Sequence, residues 1–185
     1  MAPSPTDSVT TTRWRGRPSK APGGGAVLAG LVILASVSTA RPVLLFNPTP
    51  SEPLGLYLVS LAPASAGQIA AFRTPPAAFP YADLRLAYLH RTPMLKAIVA
   101  VAGDDVCTLG GRLRINGRDR ASITQRDRRG VTLPHWLGCR RLVGGEVFVF
   151  SDRVPNSFDS RYFGPVRAAA MIGVYRPLST GPGAS

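Results

Sequence analysis

Hydrophobic and polar positions divide the first 40 residues into two parts. Residues 1–20 are rich in Ser, Thr and Pro and carry four cations against one acid, which predicts a disordered basic tail. Residues 21–40 carry no charge, and the run at 26–40 is almost wholly apolar. Such a run predicts one short helix that can enter a lipid bilayer.

This apolar segment has two interpretations. Residues 21–40 form a retained transmembrane anchor, which we favour, or they form the core of a signal peptide cleaved after the small residues Ser38 and Ala40. The upstream cations hold the N-terminus in the cytoplasm in either case. We therefore expect residues 41–178 to lie on the opposite side of the membrane.

Beyond Phe46 the apolar runs are short and are separated by Pro and Gly, a pattern typical of a β-rich domain. Strands are predicted at residues 54–61, 68–72, 95–102, 112–117 and 146–150. One helix is predicted within 80–90, and 107–139 form a loosely patterned, Arg-rich excursion. We expect a mainly β fold of antiparallel sheets over 41–178, preceded by the N-terminal helix and followed by a flexible tail at 179–185.

The net charge of the chain says little about its partners. Its 22 cations and 10 acids give a formal charge of +12, and 20 of these cations are Arg. The arginines are spread from Arg13 to Arg176, whereas a nucleic-acid-binding surface gathers cations and aromatic side chains on one element. We therefore expect a solvated basic surface and no nucleic-acid partner.

The chain has two cysteines, Cys107 and Cys139, and both follow the apolar segment. If that segment exports the chain, the pair lies in an oxidising compartment, where an even pair predicts one disulfide. This bridge would close the base of the Arg-rich excursion. The alternative is two buried free thiols.

Lysine is rare in this chain, and one copy has an unusual setting. Lys96 is the only lysine after the apolar segment, and on its predicted strand it shares a face with Met94 and Ile98. Burial there lowers the pKa of an ammonium group, whereas a guanidinium stays protonated. Lys96 is therefore a candidate general base. Taken alone, however, its setting agrees better with a lysine at a strand edge whose ammonium group reaches water.

A candidate nucleophile lies in residues 47–57, a stretch stiffened by three prolines. Ser51 falls on this stretch just before a predicted strand, and a Ser–Lys pair is a known variant of nucleophile and base. Taken alone, a serine among prolines is an ordinary turn residue. The order of elements is more informative: an apolar segment, a serine in a turn, then a lysine on an apolar strand. His90 and His135 lack a nucleophile-elbow motif and make a poorer alternative.

Three blocks of the sequence resemble one protein family. Residues 156–164, NSFDSRYFG, resemble the C-terminal signature of bacterial type I signal peptidases, and residues 95–104 resemble their lysine box. Residues 47–57, NPTPSEPLGLY, resemble the TraF branch of that family, the conjugative transfer signal peptidases. The resemblance implies a signal-peptidase-like antiparallel β-sheet domain and a serine endopeptidase with a Ser–Lys dyad.

The resemblance also implies roles for individual residues. Ser51 is then the nucleophile and Lys96 the general base. The Thr49 hydroxyl joins the Ser51 backbone N–H in the oxyanion hole, and Ser157 orients the lysine.

Two charged residues of the C-terminal signature, Asp159 and Arg161, are expected to brace the site, with a plain surface ion pair as the alternative. The chain departs from the family at Ala102, where a proline is usual, and at 151–153, where Ser-Asp-Arg replaces Gly-Asp-Asn. A carboxylate close to the lysine would raise the pKa of that lysine and oppose catalysis. We therefore expect Glu52, beside the nucleophile, to point to solvent.

By resemblance, the protein is a serine endopeptidase of the bacterial inner membrane with its catalytic domain, residues 41–178, in the periplasm. Its partners are then the membrane and an exported precursor protein, such as a conjugative pilin or a type IV secretion component. This chemistry requires no cofactor and no metal. The alternative is a catalytically silent, membrane-tethered assembly factor of a conjugation or secretion channel.

N-terminal sequencing of the protein purified from membranes distinguishes a retained anchor from a cleaved signal. We expect the purified chain to begin within residues 1–20, because the anchor is retained. A separately expressed chain starting at Arg41 provides the size standard for the cleaved form. A natural N-terminus at Arg41 would contradict the anchor.

Overall fold

The structure is a computed structural model that describes residues 41–178. The predicted tails at 1–20 and 179–185 and the apolar segment at 21–40 lie outside the described residues. Within 41–178 there is no helix both long enough and apolar enough to cross a membrane. This part of the chain is mainly β, as predicted, and its strands form two antiparallel sheets.

The larger sheet has seven strands, and β4 is the longest, with eight residues. In spatial order the strands are Leu44–Asn47 (β1), Gly55–Ser60 (β2), Met171–Pro177 (β11), Ile69–Phe72 (β3), Met94–Val101 (β4), Glu146–Val149 (β9) and Val166–Arg167 (β10). The C-terminal β11 pairs with both β2 and β3. The beginning and the end of the domain are therefore held in one sheet.

The smaller sheet is built mainly from the Arg-rich excursion. In spatial order its strands are Arg118–Ser122 (β7), Arg112–Ile115 (β6), Asp105–Cys107 (β5) and Cys139–Arg141 (β8). The turn between β6 and β7 is formed by Asn116 and Gly117, which have φ values of 50° and 75°. These left-handed angles are the ones that an Asn-Gly hairpin turn requires.

The helical elements are all short. They are the α-helices Tyr81–Arg85 (α1) and Ser160–Phe163 (α2) and the 3-10 helices Pro76–Ala78, Ala87–His90, Leu109–Gly111 and Ala168–Ala170. The single helix predicted within 80–90 is therefore two pieces. They are separated by Leu86, whose φ of −140° and ψ of 39° are not helical.

The five predicted strands are confirmed to within two residues at each end, as β2, β3, β4, β6 and β9. Six strands were not predicted: β1, β5, β7, β8, β10 and β11. Most of these are short, polar or exposed, so they lack the apolar alternation that marks a strand in sequence. Their partners in the sheets, rather than their own side chains, make them strands.

The interior strand β4 is buried on both faces. Met94, Lys96 and Ile98 share one face, and the two apolar members belong to a buried cluster that also contains Phe163. Leu95, on the opposite face, packs in a second cluster. The predicted setting of Lys96 on an apolar strand face is therefore what the fold provides.

Cys107 in β5 and Cys139 in β8 stand directly opposite each other and are joined by a disulfide. The two residues are 32 positions apart, and the hairpin of β6 and β7 lies between them. The bridge therefore closes the base of the excursion.

Replacing both cysteines in a Cys107→Ser, Cys139→Ser variant should lower the free energy of unfolding by about 3 kcal/mol, because the bridge restricts the unfolded chain. Urea denaturation of the detergent-solubilised protein measures this, with the wild type under reducing conditions as the control. A variant as stable as the oxidised wild type, or two alkylatable thiols in unreduced wild type, would contradict the bridge.

Candidate active site

The connection from β1 to β2 is organised by the Asn47 side chain, which is 3% exposed. Its Nδ2 donates to three carbonyl oxygens of the connection, those of Thr49, Glu52 and Pro53, at 2.9, 3.0 and 3.0 Å. Its Oδ1 accepts from the Thr49 backbone N–H at 3.1 Å and from the Thr49 hydroxyl at 2.8 Å. Because prolines also restrict this backbone, the turn around Ser51 is rigid.

Ser51 and Thr49 hold their hydroxyls side by side on this turn. Ser51 is buried, and its Oγ lies 3.5 Å from Thr49 Oγ1. The Ser51 carbonyl oxygen accepts a hydrogen bond from the hydroxyl of Ser151, which follows β9. The turn around Ser51 is therefore attached to the large sheet at Ser151 as well as through β1.

Lys96 lies on β4 opposite Ala70 of β3 and is 6% exposed. Burial lowers its pKa, while the carboxylates of Asp159 and Glu52 act in the opposite direction and Arg161 lowers it further. Burial has the largest effect, because moving an ammonium group out of water disfavours its charged form. The Lys96 side chain therefore loses its proton more readily than an exposed lysine does.

Ser157 is also buried, at 4% exposure. Its Oγ has no hydrogen-bond partner within residues 41–178. A buried hydroxyl without a partner costs about 1–3 kcal/mol. A hydroxyl kept at this cost is available to bind another group, which is the property expected of a residue that orients the lysine.

Asp159 and Arg161 form a buried ion pair, with side chains 0% and 3% exposed. Arg161 Nε and Nη2 donate to the two carboxylate oxygens at 2.8 and 3.0 Å. The guanidinium also donates to the carbonyls of Ser122 and Ser157 and lies 4.7 Å from the Phe150 ring centroid. The alternative of a surface ion pair is therefore wrong, since the pair connects the signature block to the smaller sheet.

The last residue of the signature block, Gly164, has a positive φ of 81°. A Cβ at this position would lie 2.7 Å from Cδ1 of Trp136, closer than side chains tolerate. Trp136 packs in turn against Phe148 of β9, at 5.6 Å between ring centroids. Glycine is required here because α2 and the end of the excursion approach each other closely.

One cavity of about 430 Å³ brings four predicted site residues together: Thr49, Ser51, Lys96 and Ser157. Asp159 and Arg161 are not part of its lining. The remaining wall is largely apolar and includes Leu45, Phe46, Leu86, Leu89, Met94 and Phe158. A hydroxyl and an amine thus line one largely apolar cleft, an arrangement suited to chemistry on an extended peptide.

The prediction that Glu52 points to solvent is wrong. Its side chain is 4% exposed, and Oε1 accepts a hydrogen bond from the Ala97 N–H at 2.8 Å. Burial raises the pKa of Glu52 to about 7, while the Ala97 N–H and the charge of Lys96 lower it. Glu52 is therefore a buried titratable group whose pKa responds to the charge of Lys96.

Two residues that organise the site were not predicted. Asn47 could have been found, because an asparagine at the start of a turn characteristically bonds the backbone two residues later. Ser151 gives no comparable local signal, since its partner Ser51 lies 100 positions away in the chain.

Comparison with known proteins places this chain in a family. The profile of the family described as signal peptidase, peptidase S26, matches residues 23–178. Plasmid transfer protein TraF of Escherichia coli is 34% identical over 171 residues, which cover 85% of this chain and 92% of the relative. Conjugal transfer protein TraF of Agrobacterium fabrum is 31% identical over 169 residues, covering 84% and 91%.

A crystal structure of signal peptidase I from Enterococcus faecalis is 22% identical, with a TM-score of 0.37, over 62% of this chain and 98% of the other. The family profile spans most of the chain, and the TraF proteins align with it over nearly their whole length. The chain belongs to the peptidase S26 family of signal peptidases and, within it, to the TraF proteins.

Proposed function

We propose that this protein is a serine endopeptidase in which Ser51 is the nucleophile and Lys96 the general base. The observation that carries the proposal is that both residues line the same largely apolar cavity. The burial that lowers the pKa of Lys96 favours the free amine that a base requires. Ser51 is held on a rigid turn, which gives its hydroxyl a fixed direction of attack.

Cleavage then proceeds through an acyl-enzyme. Neutral Lys96 takes the proton of the Ser51 hydroxyl as Oγ bonds to the scissile carbonyl carbon. The resulting ammonium passes this proton to the amine as the C–N bond breaks, and Lys96 activates the water that hydrolyses the ester. The unpartnered Ser157 hydroxyl orients the lysine during both transfers.

The tetrahedral intermediate requires hydrogen-bond donors for its oxyanion. At rest the Thr49 hydroxyl donates to Asn47, 3.5 Å from the nucleophile oxygen. By turning towards the oxyanion it would join the Ser51 backbone N–H, and such a donor is worth about 3 kcal/mol of the barrier.

The proposed substrate is an exported precursor protein with small residues before the cut, such as a conjugative pilin or a type IV secretion component. Ser51 follows Ala40 by eleven residues, so an extended chain holds it within about 35–40 Å of the apolar segment. A peptidase tethered to the periplasmic face of the inner membrane could therefore reach precursors near their own apolar segments. The apolar cavity wall supports a substrate with uncharged residues at the cut.

Replacing Ser51 with Ala, or Lys96 with Met, should lower precursor processing by about 10³-fold or more, because each change removes a reacting group. Processing is followed by intact-mass analysis of the candidate pilin, and circular dichroism checks that each variant is folded. Lys20→Ala is the matched control, since it changes the only other lysine. Processing at the wild-type rate in Ser51→Ala or Lys96→Met would contradict the dyad.

The same variants test the alternative of a silent assembly factor. Wild type should gain the mass of a serine-acylating penem, and Ser51→Ala should not. A wild type that never takes the label, together with a Ser51→Ala variant that supports normal conjugation, would establish the assembly factor instead.

Asp159→Asn should lower the free energy of unfolding by about 3–5 kcal/mol, because it leaves the Arg161 guanidinium buried without its counter-charge. Urea denaturation measures the loss. The matched control is Asp105→Asn, which breaks an exposed pair with Arg141 and should change stability little. Equal stability of the two variants would show that the buried pair is not a structural brace.

A further inference from the structure

The Glu52 carboxylate occupies a point where a sheet ladder stops. The Ala97 carbonyl accepts from the Phe150 N–H at 3.0 Å, and the Ala97 N–H points to the same edge of β4. The strand β9 ends at Val149, so the ladder supplies no further acceptor there. Glu52 Oε1 fills that position at 2.8 Å from the Ala97 nitrogen.

This hydrogen bond joins the two halves of the catalytic pair. Glu52 directly follows the nucleophile Ser51, and Ala97 directly follows the base Lys96. The bond therefore fixes the turn that carries Ser51, here called the nucleophile turn (residues 47–53), against β4. The two bonded residues are 45 positions apart in the chain. The bond from Ser151 to the Ser51 carbonyl holds the same turn from β9.

The charged groups around Glu52 come from two elements besides its own. Lys96 on β4 and Arg153 after β9 favour its ionised form, whereas Asp152 opposes it. Burial outweighs all of these and raises the pKa of Glu52 to about 7. Burial raises the pKa of the nearby Tyr57 phenol to about 12, and the charge of Glu52 acts in the same direction.

The charged groups around Lys96 are Glu52 on the nucleophile turn and the Asp159–Arg161 pair of the signature block. Asp159 has the larger influence of the two carboxylates on Lys96, but both of its oxygens are bound by Arg161. Glu52 has no such bidentate cation and accepts its hydrogen bond from a backbone N–H. Glu52 is therefore a carboxylate near the amine that no arginine holds in an ion pair.

We propose that Glu52 is a positioning residue that fixes the nucleophile turn to β4 and whose negative charge, when present, helps to keep the proton on Lys96. The proposal rests on the Ser51–Lys96 peptidase proposed above. When Glu52 and Lys96 together hold one titratable proton, there are two arrangements. The proton is either on the Lys96 amine, which leaves Glu52 as a carboxylate, or on Glu52, which leaves Lys96 as a free amine. The second arrangement supplies the base at unchanged total charge, with no proton released to solvent.

The test of the charge is Glu52→Gln in the full-length protein, which keeps an oxygen acceptor for Ala97 but cannot ionise. Acylation by a penem is measured against pH, and the rate rises as Lys96 loses its proton. In Glu52→Gln no negative charge at this position holds the proton on Lys96. The rise of the acylation rate with pH should therefore occur about one pH unit lower than in wild type. Asp152→Asn, an exposed acid on the same side, is the matched control and should shift this rise much less.

The test of positioning is Glu52→Leu, which removes the acceptor as well as the charge. We expect its maximal acylation rate to fall at least tenfold below that of Glu52→Gln, which keeps the bond to Ala97. Equal maximal rates would overturn the positioning role, and a pH profile of Glu52→Gln that coincides with wild type would overturn the charge role. If wild type and Ser51→Ala are equally unreactive, it is the peptidase itself that fails.

Discussion

A primary amine removed from water favours its neutral form, and the arrangement around Lys96 depends on this preference. The fold meets this preference by placing the lysine on an interior strand of a seven-stranded sheet, between Met94 and Ile98 on an apolar face. An exposed lysine at a strand edge would have the same side chain but would hold its proton near neutral pH. Burial rather than a special neighbour therefore makes the residue a candidate base.

The two acids near the Lys96 amine, Asp159 and Glu52, have different hydrogen-bond partners. Asp159 is fully buried and is matched by a bidentate arginine, so the pair resembles a neutral unit with good hydrogen-bond geometry. Glu52 is almost as buried but is matched by one backbone N–H and a nearby ammonium. The first arrangement contributes rigidity, whereas the second leaves a buried titratable carboxylate without a bidentate cation.

Much of the site could be predicted from sequence because its signals are local or recur as blocks. Ser51 and Thr49 lie in one proline-rich stretch, and the apolar setting of Lys96 follows from the alternation along its strand. The five predicted strands have their own apolar pattern, whereas β11 is defined by partners distant in the chain. Glu52 was misjudged for the same reason, since the N–H that it satisfies belongs to a strand 45 positions away.

The sheet order connects the two ends of the described chain. The C-terminal β11 supports β2, which alone supports β1, and the Tyr175 hydroxyl donates to the Pro42 carbonyl at 2.7 Å. The Leu178 N–H likewise donates to the Leu56 carbonyl at 2.8 Å. The turn that carries Ser51 therefore depends for its order on β11, which is synthesised after every other strand of the described chain.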